Sequence, residues 1–94
     1  MTERLVYIYM LTDPTGANTC YLGRSHDPRA RLKEHMNDLW DQSAKCGWLR
    51  MLKHRGLLPK LTYIEKVKRE ESKQAEADLI GILKAIRGPD CVNK

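Results

Sequence analysis

The sequence predicts a mixed fold of strands and helices in the order ββααβα, opening on an antiparallel hairpin. Three observations predict it. An apolar, β-branched and aromatic run, Leu5 to Leu11, is followed by the turn signature Asp13-Pro14-Thr15-Gly16 and a second short run, Thr19-Cys20-Tyr21-Leu22. Apolar residues recur at helical spacing in three later segments. Between the second and third of these, Leu61 to Val67 alternates as a strand does.

The first run suits a pleated, half-buried surface. In the turn, Pro14 fixes φ and Gly16 permits positive φ, so residues 4–23 form a hairpin. Tyr7 and Tyr9 are two apart and share one face of their strand. Asp27-Pro28 is a helix start, with Asp at the N-cap and Pro in the first helical position. With Leu32, Met36 and Leu39 at helical spacing, the first helix covers about 28–40. The second runs over about 43–55, from Ser43 to a stop at Gly56, with Trp48 and Leu52 pointing at the core. After Pro59 comes the third strand, 61–67. Ser72 caps a last helix that carries Ala75, Leu79, Ile82, Leu83 and Ile86 and ends near Gly88-Pro89. No internal repeat, linker or low-complexity stretch interrupts this order.

Ninety-four residues predict one domain over 1–94, and 41% hydrophobic content supports one modest core. There are 17 Lys+Arg against 12 Asp+Glu, a net charge of +5, and the pI is about 9.3. That balance favours a polyanionic partner, nucleic acid being the commonest, over a merely soluble basic domain. Cys20, Cys46 and Cys91 are too scattered for a disulfide framework and form no CxxC pair. Such usage fits a reducing, cytoplasmic compartment. Leu5 to Leu11 is too short to span a bilayer, so no membrane partner is expected.

Some residues stand out chemically. Arg31 and His35 are four apart and lie on one helix face, turned about 100° from the stripe through Leu32, Met36 and Leu39. The hairpin brings Tyr9 and Tyr21 near the start of that helix. A guanidinium, an imidazole and phenolic hydroxyls around one concavity suit a phosphodiester, because Arg offers a permanently charged fork to phosphate oxygens. The same face also carries charge as a plain solvated surface would. Glu76 flanks the apolar side of the last helix. Its carboxylate suits one hard cation, Mg²⁺ or Mn²⁺, with water and phosphate completing the shell, or else it is a glutamate favoured by the helix macrodipole. Gly23 is either a turn glycine or a position where a missing Cβ lets the chain pack beside the Tyr21 hydroxyl. Arg24, Lys53, Arg55 and Lys60 are candidates for gripping backbone phosphates, or ordinary surface cations.

Taken together, Tyr7-Ile8-Tyr9, Tyr21-Leu22-Gly23, Arg31 eight residues after Gly23, His35 four further on, and Glu76 four before Ile80 resemble the GIY-YIG nuclease domain over about residues 5–93. Tyr7 stands where the family has glycine, and Leu22 where it has isoleucine. The resemblance implies an α+β fold, a small three-stranded antiparallel sheet with flanking helices. It implies a metal-dependent endonuclease that hydrolyses DNA. Tyr9 or Tyr21 would activate water, His35 would orient or activate a tyrosine, and Arg31 would stabilise the phosphate. Glu76 would hold Mg²⁺ or Mn²⁺, and Asn93 would supply a supporting hydrogen bond. The chain resembles a free-standing catalytic module, whose target choice then rests on its own surface, a homodimer or a partner protein. The alternative is a basic nucleic-acid-binding module that keeps the fold and does not cut.

Overall fold

The computed structural model describes residues 5–37, 43–88 and 91–92. Its elements are β1 (Leu5–Thr12), β2 (Cys20–Ser25), α1 (Pro28–Asn37), α2 (Ala44–His54), β3 (Lys60–Lys68) and α3 (Arg69–Arg87). The three strands form one antiparallel sheet in the order β2-β1-β3. This is the α+β architecture and the element order that the sequence predicts.

β1 is central because it is the most apolar strand and buries residues on both its faces. Tyr9 and Leu11 point one way and join Met36 of α1 and Trp48, Leu49 and Leu52 of α2 in the main core. Ile8 and Leu22 are buried on the opposite face, toward α3, which packs on all three strands. Leu11, Leu49 and Leu52 are fully buried, and each such side chain contributes about 1.5–3 kcal/mol of transfer free energy.

β3 is an edge strand and is exposed along most of its length. It carries a bulge, because Ile8 pairs with Glu65 whereas Tyr9 pairs with Tyr63. Lysines at 60, 66 and 68 along this edge discourage pairing with another chain.

The last helix differs from expectation in its start, in the place of Ser72 and in its buried face. β3 passes directly into α3, which starts at Arg69 after an extended Lys68 that makes no side-chain cap. Ser72 is therefore not the cap; it lies inside the helix, buried, and donates to the Arg69 carbonyl. Docked on the sheet, α3 turns Ser72, Ala75, Leu79 and Leu83 inward. It leaves Ile82 and Ile86 exposed rather than in the core. In α1, the expected extension to 40, with Leu39, lies outside the described residues. α2 begins as predicted, with the Ser43 hydroxyl accepting from the Cys46 amide.

One tie was not legible as such. Asp13 of the hairpin turn is buried and accepts hydrogen bonds from the Thr15 amide at 2.8 Å and from the Trp48 indole at 3.0 Å. These bonds hold its carboxyl below the usual carboxylate range, the Thr15 hydroxyl contributing most and the Trp48 indole next. The turn is thereby fastened to α2. Asp13→Ala would leave the Trp48 N–H without its acceptor, and an unsatisfied buried donor costs about 1–3 kcal/mol. Urea denaturation followed by Trp fluorescence should show a loss of that size with unchanged slope.

Candidate functional site

Tyr9 starts the site. It sits on the central strand, buried, and its cross-strand partner on β2 is Gly23. A Cβ at Gly23 would stand 2.5 Å from the Tyr9 hydroxyl oxygen and 2.6 Å from its Cζ. No side chain fits there. Gly23 therefore lies within β2, which continues to Ser25, and is demanded by the ring resting on it rather than by a turn. The neighbouring hydroxyl is that of Tyr9, not of Tyr21 as the sequence suggested; the Tyr21 ring edge comes within 3.1 Å of the same point.

α1 supplies the next groups. The Tyr9 hydroxyl lies 3.3 Å from Nε2 of His35, and the Tyr21 ring meets the imidazole edge-on at 5.8 Å between centroids. His35 is only 7% exposed. The helix face expected to turn away from the core is therefore split. His35 enters beneath the two tyrosines, while Arg31, one turn earlier, stays half-exposed and donates to Glu34 at 2.9 Å. The short helix packs against β2 and α2, and its buried residues are Pro28, His35 and Met36.

Burial lowers the His35 proton affinity to about 4, and the positive charges of Lys45 and Arg31 push it the same way. The ring is therefore neutral at physiological pH. With its proton on Nδ1, Nε2 accepts the hydrogen bond of the Tyr9 hydroxyl. Lys45 was not singled out by sequence reasoning. Its ammonium lies 5.2 Å from the Tyr21 ring centroid, a position fixed only by how α2 docks.

Both tyrosines are harder to ionise than usual. Desolvation is the main cause for each. For Tyr9 the Tyr21 hydroxyl adds to it, for both Glu76 adds to it, and the Arg31 charge opposes it in both. Four elements thus converge, with β1, β2, α1 and α3 each contributing a group that the others feel electrostatically.

Glu76 is eight residues into α3 because the helix begins at Arg69. Its half-buried carboxylate is harder to ionise than usual through desolvation, partly offset by Arg24, whose Nε lies 3.4 Å away. Arg24 also donates to the Ser72 hydroxyl at 3.0 Å, so it ties β2 to α3 while its side chain remains part exposed. Lys53 donates to the Met36 carbonyl at 3.0 Å and lines a shallow basic depression of about 670 Å³ with Arg50 and His54. Arg55 and Lys60 are exposed, at the end of α2 and the head of β3. Asn93 lies outside the described residues. Among the described residues no group of three His, Cys, Asp or Glu side chains could hold a metal ion. A cation on Glu76 would take most of its shell from water and substrate oxygens, which suits a hard ion that retains waters.

Two outcomes follow from this geometry. Gly23→Ala should destabilise the fold by about 1–3 kcal/mol through overpacking against Tyr9. Gly81→Ala, where nothing lies within 4 Å, should be neutral or stabilise α3 by about 0.5–1 kcal/mol. Thermal melts of the two variants make the comparison. The second concerns pH. The His35 imidazole titrates near 6.5 when unfolded and at about 4 when folded. The unfolded chain therefore binds more protons between those values, and stability is lost as pH falls from 6.5 to 4. The loss should be on the order of 2 kcal/mol. It should be absent from His35→Gln in parallel urea titrations, while the Asp13 and Glu76 contributions remain in both proteins.

The GIY-YIG catalytic domain family matches residues 5–87. No curated protein and no solved structure matches the chain. The matched span runs from the first residue of β1 to the last of α3, and it takes in Tyr9, Gly23, His35 and Glu76. With this sheet order and that span, the chain belongs to the GIY-YIG catalytic domain family, a family of DNA-cleaving nucleases.

Proposed function

We propose that this protein is a metal-dependent endonuclease that hydrolyses DNA phosphodiester bonds. The observation that carries the reading is the Tyr9–His35 contact, 3.3 Å between hydroxyl and Nε2. Beside it, the charges of Arg31 and Glu76 are both felt at the two phenols. A neutral imidazole against a phenol is a proton relay. A phenol made harder to ionise by burial is a poor standing phenolate, so it needs an acceptor at the moment of reaction.

In the reaction, a water held at the Tyr9 hydroxyl gives its proton to that oxygen as the Tyr9 proton passes to Nε2 of His35. The water oxygen attacks phosphorus in line. The bond from phosphorus to the 3′ oxygen breaks, and the electron pair leaves with that oxygen. Tyr21, half-buried beside Tyr9, orients the water. Arg31 is half-exposed, hydrogen-bonds toward the Tyr9 hydroxyl and pairs at the surface with Glu34. Such a pair is worth little, so the guanidinium can swing to the phosphate and offset its growing charge. Glu76 would hold Mg²⁺ or Mn²⁺, which when bound supplies positive charge beside the phosphate and the leaving oxygen. The net charge of +5 draws the polyanion in.

The Arg24–Glu76 ion pair favours a second reading, a nucleic-acid-binding module that does not cut. There the carboxylate would be a structural partner of Arg24 and no metal ligand. Cleavage of supercoiled plasmid with and without Mg²⁺ separates the two. Glu76→Gln should abolish Mg²⁺-dependent cutting and leave DNA binding equal or tighter. Arg31→Ala should cut on the order of 10²–10³-fold more slowly while staying folded. A folded Glu76→Gln protein that cuts at the parent rate would refute the metal assignment.

A further inference from the structure

The sheet face that carries Tyr9 is covered by α1 and α2 at the end bearing Leu11 and Leu61. Toward the other end lie two more tyrosines, outside the core cluster of described residues. Tyr7 is two residues before Tyr9 on the same face, about 7 Å along the strand. Tyr63 is the direct cross-strand partner of Tyr9 on β3 and shares its face. The Tyr7 and Tyr63 rings are 5.1 Å apart between centroids, tilted by 53°. The Lys66 ammonium lies 5.6 Å from the Tyr7 centroid. Neither ring belongs to the core cluster, and Tyr63 is 47% exposed.

The β3 bulge falls at this row, between the partners of Ile8 and Tyr9. Bulges re-aim side chains beside active sites. Here the bulge brings Tyr63, rather than Ile64, opposite Tyr9.

An exposed ring, Tyr63, against a part-buried one, Tyr7, with the Lys66 cation beside it and Lys68 next along the same face, opposite Leu5, has the chemistry of a base-stacking platform. Every nucleobase offers a π-face, and lysines beside the rings track the adjoining phosphates. In an intact duplex those π-faces are stacked inside the helix, so only an unpaired or extruded base can use the platform. Resting on the reading that Tyr9 marks the cleavage centre, we propose that Tyr63 and Tyr7, with Lys66, stack an unpaired nucleobase next to the scissile phosphate. The preferred substrate is then DNA with a single-stranded segment at the cut. Tyr7 also gives a use to the position where the family carries glycine, since glycine leaves no ring there.

Stacking is worth about 1–3 kcal/mol per base, roughly 5- to 150-fold in affinity. The test uses the whole protein with Mg²⁺ chelated. A single-stranded oligonucleotide carries a fluorescent purine analogue whose emission is quenched on stacking. Tyr63→Thr keeps strand propensity and removes the ring; Tyr63→Phe keeps the ring. The Thr variant should lose the quenching and at least about 5-fold in single-strand affinity. The Phe variant should keep both, and a blunt duplex of equal length should bind all three proteins alike. Equal losses on duplex and single strand would overturn the proposal, as would unchanged quenching in Tyr63→Thr. A sedimentation shift to a smaller species on removing the ring would also overturn it, since the rings would then cover a second copy of the chain. The binding readout needs no cleavage. A failure of the Glu76→Gln test therefore sinks the nuclease reading alone, and a failure here sinks only the platform.

Discussion

The absence of a side chain at position 23 is the constraint from which the rest of the site is built. The Tyr9 ring lies across β2 at a distance no Cβ tolerates. That contact lets the tyrosine of the central strand lean over its neighbour and put its hydroxyl against His35 of α1. A bulkier residue would push the ring back toward β3 and part the phenol from the imidazole. Strand pairing and site geometry are therefore one problem. The register that pairs Tyr9 with Gly23 also pairs Tyr9 with Tyr63 on the other side, so one row of the sheet carries all three.

The site is also a set of opposed electrostatic costs. Burial neutralises His35 and holds the two phenols protonated. The same burial raises the proton affinity of Glu76, and Arg24 partly offsets it. Arg24 bonds to Ser72 as well, so the ion pair locates α3 against β2 while shielding the carboxylate. A small domain has little apolar area with which to clamp a long helix, and α3 is fastened by polar ties at both ends. Arg24 meets Ser72 near its start, and Arg87 donates to the Asn18 carbonyl at 2.9 Å near its end.

Charge and shape divide the labour on the surface. The basic excess is diffuse, spread over Lys53, Arg55, Lys60 and the β3 lysines, and such charge attracts any polyanion without choosing among them. Selectivity needs short-range contacts. The Tyr7–Tyr63 ring pair, with Tyr63 exposed, is a short-range feature continuous with Tyr9.

The sequence by itself determined the local and periodic features. Hairpin, turn, the Asp27-Pro28 helix start, the Ser43 cap and the Trp48/Leu52 face follow from φ preferences, capping chemistry and a 3.6-residue period, all of which act over a few residues. The spacing of Tyr9, Tyr21, Gly23, Arg31, His35 and Glu76 carried the family for the same reason. Tertiary structure decided what needs two distant elements to meet. α3 starts at Arg69 because β3 runs into it without a loop, which turned Ser72 from a cap into a buried partner of Arg24, and the way α3 docks on the sheet left Ile82 and Ile86 outside. His35 is buried because α1 packs against β2 and α2, and a helical wheel does not know which neighbours a face will meet. Asp13 found Trp48, Lys45 found Tyr21 and Tyr63 found Tyr7 through docking and register. No pattern along the chain encodes those contacts, because the free energy that selects them is shared among side chains from every element at once.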